Sequence, residues 1–344
     1  MAQARIPVVI VAGFLGSGKT TMLNHLLRNS AGARIGVVVN DFGSINIDAM
    51  TVAGQVDSMV SLGNGCLCCA VDASGLDAML GKLADPAAGI DVIVIEASGL
   101  AEPRDLIRMV LASECERIEY GGLLEVVDAA EFIRTRELHP ELDQHLALAD
   151  LVVLNKTDRV DEHTRADLLA ILESIVGGTP LLPTVHGRVD PELLFDRPHR
   201  PHRTDVPRQL SLTDLLLDEH EDCGHEHHLH AGYESIEFTS AEPLHPRRLM
   251  RFLDDRPGGL YRMKGVVYFG IPGHQDKFEL HTVGNFLRFH SSSWSRREER
   301  TTRLVLIGAG IDAEALRTRL RECVQAEPEA PAAGDMLPVL RYAG

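Results

Sequence analysis

Aromatic residues are scarce in this 344-residue chain: Phe, Tyr and Trp make up 5%, with a single Trp. Surfaces that stack nucleic-acid bases draw on such side chains, so base stacking is not a theme here. Basic residues are outnumbered as well, 34 Lys and Arg against 50 Asp and Glu, for a formal net charge of −16. That balance argues against a general nucleic-acid or anionic-membrane surface. No run approaches the ~18 apolar residues of a membrane span. The N-terminus, MAQARIPVVIVAGFLGSGKT, enters an apolar strand pattern without the charged start, long apolar run and cleavage site of a signal peptide. A cytoplasmic protein with neither nucleic-acid nor membrane partners is therefore expected. Cysteine is sparse too: the six present read as ligands, nucleophiles or core residues rather than a disulfide framework.

The length suits two domains. Up to about residue 195, short apolar runs alternate with helical patterns, which predicts an α/β, doubly wound and mostly parallel sheet. Strands are expected at 7–12, 35–40, 91–96, 122–127 and 151–155, several of them unbroken apolar runs as for strands buried on both faces. Helices are expected at 20–28, 74–84, 103–112, 139–148 and 162–176. Residues 196–232 break this composition with prolines, charges and a His-rich tract, and read as a polar linker. A smaller α+β domain follows over 233–325, with strands at 233–238, 260–270, 277–283 and 300–308 and helices at 246–255 and 312–323. Residues 326–344, rich in Pro and Ala, read as a loose tail, and no internal repeat is found.

The first motif lies between the opening strand and its helix, where Gly13, Gly16, Ser17, Gly18, Lys19 and Thr20 fit GxxxxGK(S/T), with Thr21 following. Glycines let backbone N–H groups close around phosphate oxygens, and the helix N-terminus adds positive potential. Lys19 is placed on the β- and γ-phosphates and the Thr20 hydroxyl on Mg²⁺. After the apolar run LVVL come Asn155, Lys156 and Asp158 of an NKxD motif. The Asp158 carboxylate can accept from N1–H and the exocyclic amine of guanine, a pair that adenine does not offer. GTP or GDP with Mg²⁺ is therefore expected, and hydrolysis with it. Between the two motifs, the run DVIVIEASGL ends a strand in Glu96, a candidate for ordering the Mg²⁺ shell or the attacking water; its alternative is a solvated strand end. Gly99 is a candidate backbone donor to the γ-phosphate. Asp41 also follows a strand, and reads either as a cleft-facing ligand or as an Asx-turn residue.

Three of the six cysteines, Cys66, Cys68 and Cys69, fall within four positions of a Gly-flanked loop. Thiolates suit Zn²⁺, Cu(I) or iron–sulfur centres, and three of them leave a fourth position for another ligand. A redox dithiol and incidental loop cysteines are the alternatives. Cys115 and Cys323 are expected to be buried in helices. His220–His230 holds five His and one Cys, among them His225, His227, His228 and His230 as candidate auxiliary ligands; a linker without a role is the other reading.

Read in order, GFLGSGKTT, GNGCLCC, EASGLAEP and NKTD resemble the CobW-type GTPases, and SIEFTSAEPLHPRRL, YRMKG and RLVLIG resemble that family's C-terminal domain. The resemblance covers nearly the whole chain. It implies a slow GTPase that binds Zn²⁺, with Co²⁺ or Fe²⁺ as alternatives, through Cys66, Cys68 and Cys69 and hands it to a client metalloprotein. Two other roles stay open: a metal buffer or sensor with incidental turnover, and a maturation factor for a cobalt or iron enzyme. A homo-oligomer through the C-terminal sheet also stays open. The chain departs from the family's NEFGE, since Asp41 and Ser44 stand at its two Glu positions.

Overall fold

The computed structural model describes residues 5–30, 32–39, 58–61, 73–99, 101–195, 234–296, 298–325 and 331–343. Seven parallel strands form the first sheet: β1 (Ile6–Ala12), β2 (Ile35–Val39), β3 (Ser58–Ser61), β4 (Val92–Glu96), β5 (Ile118–Asp128), β6 (Leu151–Asn155) and β7 (Leu181–Pro183). Their order is β3-β2-β4-β1-β5-β6-β7. Alternation along β1 sends Val8 and Ile10 into one core, with Leu80 and Leu106, and Val9 and Val11 into the other, with Met22 and Leu26. Each such side chain contributes roughly 1.5–3 kcal/mol by burial. This is why β1 has no polar face to show in the sequence.

Helices α1 (Lys19–Arg28), α2 (Ala73–Leu83), α3 (Pro103–Leu111), α4 (Phe132–Leu138), α5 (Leu142–Leu148) and α6 (Glu162–Val176) accompany this sheet. The last is capped at both ends: Asp161 accepts from the Thr164 N–H at 2.8 Å, and Gly177 closes it at φ 60°. The helix expected at 139–148 begins only at Leu142, as α5; α4, which was not expected, lies before it, and the break between the two falls around Pro140. The residue before a proline avoids helical backbone, and His139 sits at φ −133°, ψ 73°.

A second sheet, antiparallel and ordered β11-β10-β9-β12-β8, is built from β8 (Glu234–Ser240), β9 (Leu260–Val267), β10 (Lys277–Val283), β11 (Phe286–Ser292) and β12 (Thr302–Gly308). Helices α7 (Pro246–Asp254), α8 (Ala313–Glu322) and α9 (Leu337–Leu340) share its core with Phe238, Phe278, Phe289 and Leu306. The reading of 326–344 as loose fails over residues 331–343, because Met336 and Val339 are fully buried in that core. Cys115 lies in the turn after α3, half-buried rather than helical, whereas Cys323 is buried at the end of α8. Burial pushes the Cys323 thiol up to about 11, so it is an inert core thiol.

The two sheets meet at the β10–β11 hairpin. Gly284 turns at φ 53°, and a Cβ there would sit 1.6 Å from the Asp150 carbonyl oxygen. Asn285 donates its N–H to that oxygen at 2.8 Å and its Nδ2 to Thr179 Oγ1 at 2.7 Å. Tyr261 Oη donates to the Leu181 carbonyl at 3.1 Å, and Arg288 pairs with Glu119 at 2.5 Å. Gly284→Ala is therefore expected to cost at least ~2 kcal/mol in urea unfolding, from both the backbone conformation and the displaced Asp150. A loss below ~0.5 kcal/mol would show that this contact does not hold the sheets together.

Candidate functional site: the nucleotide cleft

Strand order reverses at β1, which lies between β4 and β5 although β2 follows it in the chain, and in open α/β sheets such a point opens a crevice at the carboxyl ends of the strands. Register brings its residues together: Val11 pairs with Glu96, Ala12 with Glu125, and Asp128 with Asn155. Gly13, Gly16 and Gly18 follow β1 at φ 142°, 76° and 104°. A Cβ would lie 2.3 Å from the Val126 carbonyl oxygen at Gly13, and 2.3 Å from Asn155 Nδ2 at Gly18. The loop thus has no room for side chains where its backbone must close. Among the described residues no side chain caps the first turn of α1, so its first N–H groups are left for a ligand.

Lys19 is 8% exposed and donates through Nζ to the carbonyls of Gly13 at 2.8 Å and Phe14 at 3.2 Å. Thr20 Oγ1 donates to Glu96 Oε1 at 2.7 Å, and Glu96 is 4% exposed at the end of β4. Ser17 Oγ is buried without a hydrogen-bond partner among the described residues. Thr21 is exposed on α1. The Gly99 backbone lies against the loop, since a Cβ there would be 2.8 Å from the Leu15 nitrogen.

Asn155, 1% exposed, ties three segments together. Its Nδ2 donates to the Ser17 carbonyl at 2.9 Å, and its Oδ1 accepts from the Gly187 N–H at 2.9 Å. Lys156 takes a left-handed φ of 61°, from which Nζ reaches the Gly16 carbonyl at 2.7 Å and Asp128 Oδ2 at 2.6 Å. Asp158 is exposed on the following turn. Residues 184–188 complete this side: Thr157 donates through Oγ1 to the Thr184 carbonyl at 3.0 Å. Sequence reasoning missed this segment, Asp128 and Glu125; a glycine just after a short apolar strand was the one signal for Gly187. Glu125, 3% exposed, stands behind the loop, and burial pushes its carboxyl up to about 8, with Lys19 pulling it down and Glu102 adding to the rise.

Asp41, Cys66, Cys68, Cys69, His225, His227, His228 and His230 lie outside the described residues, as do all of 196–232. Among the described residues, no group of three His, Cys, Asp or Glu side chains is placed to hold a metal ion. No helix among them is long and apolar enough to cross a membrane.

Residues 7–183 match the model of the CobW/HypB/UreG nucleotide-binding domain. The chain belongs to the CobW/HypB/UreG family. Residues 233–324 match the cobalamin synthesis protein cobW C-terminal domain, so this family member has the CobW arrangement of a P-loop domain followed by an antiparallel sheet domain. It is 30% identical to a zinc chaperone CobW of Sinorhizobium sp, over 94% of this chain and 98% of that one. It is 31% identical to the zinc chaperone CobW of Pseudomonas aeruginosa, over 92% and 91%, and 27% identical to the zinc chaperone YjiA of Escherichia coli, over 91% and 96%. The crystal structure of Zn(II)-bound YjiA GTPase from E. coli aligns with a TM-score of 0.43 at 22% identity, covering 94% of this chain and 100% of that one.

Proposed function

We propose that this CobW/HypB/UreG-family protein hydrolyses GTP and uses the nucleotide state to hold Zn²⁺ and release it to a client metalloprotein. The observation that carries the nucleotide half is the Asn155 junction, which fixes the NKxD segment against the phosphate loop through the Ser17 carbonyl and leaves the Asp158 carboxylate exposed for a base. Glycines where no Cβ fits, the Ser17 hydroxyl with no partner among the described residues, and the Thr20–Glu96 pair form a donor set that fits a polyphosphate with Mg²⁺. Thr20 and Glu96 would hold the Mg²⁺, which supplies charge neutralisation on the β- and γ-phosphates. Lys19 would leave the Gly13 and Phe14 carbonyls for those oxygens, and the Gly99 N–H would meet the γ-phosphate. The metal half rests on Cys66, Cys68 and Cys69, on the chemistry of thiolates, and on zinc chaperones being similar over nine-tenths of the chain. Asp41 would complete the thiolate set, with His225, His227, His228 and His230 gathering metal for it.

Base selectivity tests the nucleotide half. Asp158→Asn is expected to weaken GTP binding about 10- to 100-fold, as loss of a charged hydrogen-bond acceptor does, and to improve binding of xanthosine triphosphate, whose C2 carbonyl suits an amide donor. Fluorescent-nucleotide titration reads both. Unchanged GTP affinity, or equal ATP affinity in the unaltered protein, would remove Asp158 from the base site.

A further inference from the structure

At the end of β5 the two carboxyl oxygens of Asp128 have separate partners. Oδ1 accepts from the Ala130 N–H at 2.9 Å, a turn that fixes the orientation of the carboxylate. Oδ2 accepts from Lys156 Nζ at 2.6 Å, and the same Nζ donates to the Gly16 carbonyl at 2.7 Å. The turn needs one oxygen, which Asn would supply as well as Asp; only a carboxylate leaves its second oxygen for an ammonium. The backbone adds to this fixing, since Asp128 pairs in register with Asn155 and the Ala129 N–H donates to the Asn155 carbonyl at 2.9 Å. The Asp128 and Lys156 side chains are 13% and 27% exposed, so the pair is screened less than one on the surface.

Lys156 also carries backbone strain: with His186 it makes up the non-glycine residues of positive φ among those described. A left-handed backbone is unfavourable for a residue with a Cβ, and such positions persist where their surroundings hold them, often at ligand clamps. The neighbouring fold does not call for the Lys156 side chain, because Thr157 is tied independently to the Thr184 carbonyl through both its N–H and its hydroxyl. We propose that Asp128 is a positioning residue for the guanine nucleotide, holding Lys156 across the phosphate loop so that the base-reading turn is set before the ligand arrives. This rests on the guanine reading of Asn155, Lys156 and Asp158. From φ 61° at its backbone to Gly16 at its tip, the lysine joins the turn that carries Asp158 to the loop that closes on phosphate. Without the carboxylate the ammonium keeps the Gly16 carbonyl alone, and the flexible stem must be ordered by the nucleotide, at a cost in affinity. Turnover depends on other groups, Lys19 and the Thr20–Glu96 pair, so the loss falls on binding.

The test uses the full chain with Asp128→Asn, with Lys156→Met, which removes the ammonium from an unbranched stem, and with both. GDP affinity is read by displacement of a fluorescent GDP, kcat at saturating GTP, and thermal unfolding without nucleotide. Each single change is expected to weaken GDP binding about tenfold, as loss of one charge-assisted hydrogen bond does, with kcat altered less than about threefold. The double variant is expected to bind about as well as either single one, because both changes remove the same interaction. A residue that served only the fold would lower the unfolding temperature and leave these couplings absent. The proposal is overturned by unchanged GDP affinity in Asp128→Asn, by a loss confined to kcat, or by losses that multiply to about a hundredfold in the double variant. Equal affinity of the unaltered protein for GDP and ADP would overturn the guanine reading and the proposal with it, whereas the other contrary outcomes leave that reading standing.

Discussion

Lys19→Ala is expected to lower the turnover number for GTP by a factor of ~10²–10³, the loss typical when one preorganised donor to developing charge is removed. The side chain is 8% exposed, and its ammonium is held at the mouth of the loop by two backbone carbonyls. On the proposed reading this cation would move from those carbonyls onto the β,γ-bridging charge, whereas alanine would leave that charge to water. Truncation also strips the Gly13 and Phe14 carbonyls of a donor, at ~1 kcal/mol, so stability is expected to fall slightly and activity greatly. Phosphate release and thermal unfolding on the same samples separate the two effects. Turnover within tenfold of the unaltered protein would show that Lys19 belongs to the loop's architecture alone.

The second large effect is a pH-dependent cost at Glu125. Its carboxyl is raised from 4.5 to about 8 in the folded chain, chiefly by burial. The folded state therefore binds more protons than the unfolded chain between these values, and stability must fall as pH rises through that window. Below the unfolded value the penalty vanishes; above the folded value it is complete, at roughly 5 kcal/mol for a shift of this size. Glu125→Gln keeps the shape and removes the titration. It is expected to match the unaltered protein at about pH 4.5 and to exceed it by several kcal/mol near pH 8.5 in urea unfolding. A difference between the two proteins that stays constant across this range would mean that Glu125 is ionised in a solvated or paired setting.

What the sequence disclosed follows from where each structure originates. The phosphate loop and the NKxD segment are local: their glycines, Lys19, Asn155 and Asp158 lie within two short stretches whose backbone geometry is encoded on the spot. Likewise β6 and α6 emerge at Leu151–Asn155 and Glu162–Val176, one as an unbroken apolar run and the other between an Asp cap and a Gly stop. By contrast, Glu125 and Asp128 matter only through register, which sets them beside Ala12 and Asn155, strands distant in the chain. Strand β11 escaped notice because FLRFHSS mixes apolar and polar residues, although the Gly284–Asn285 pair before it is a hairpin signal. The C-terminal segment misled through composition: its prolines and alanines read as loose, yet Met336 and Val339 are spaced to enter the core from one short helical turn.

The most direct test of nucleotide-coupled metal handling is Zn²⁺ affinity by chelator competition, in GDP and in a non-hydrolysable GTP analogue, for the unaltered protein, for the triple Cys66→Ser, Cys68→Ser, Cys69→Ser variant and for a chain lacking residues 220–230. One tight site is expected, changing at least tenfold with nucleotide (a coupling of ~1.4 kcal/mol), lost in the triple variant and retained without the His-rich tract. Tight binding that ignores the nucleotide, or that survives the triple substitution and disappears with residues 220–230, would contradict it and describe a metal buffer instead.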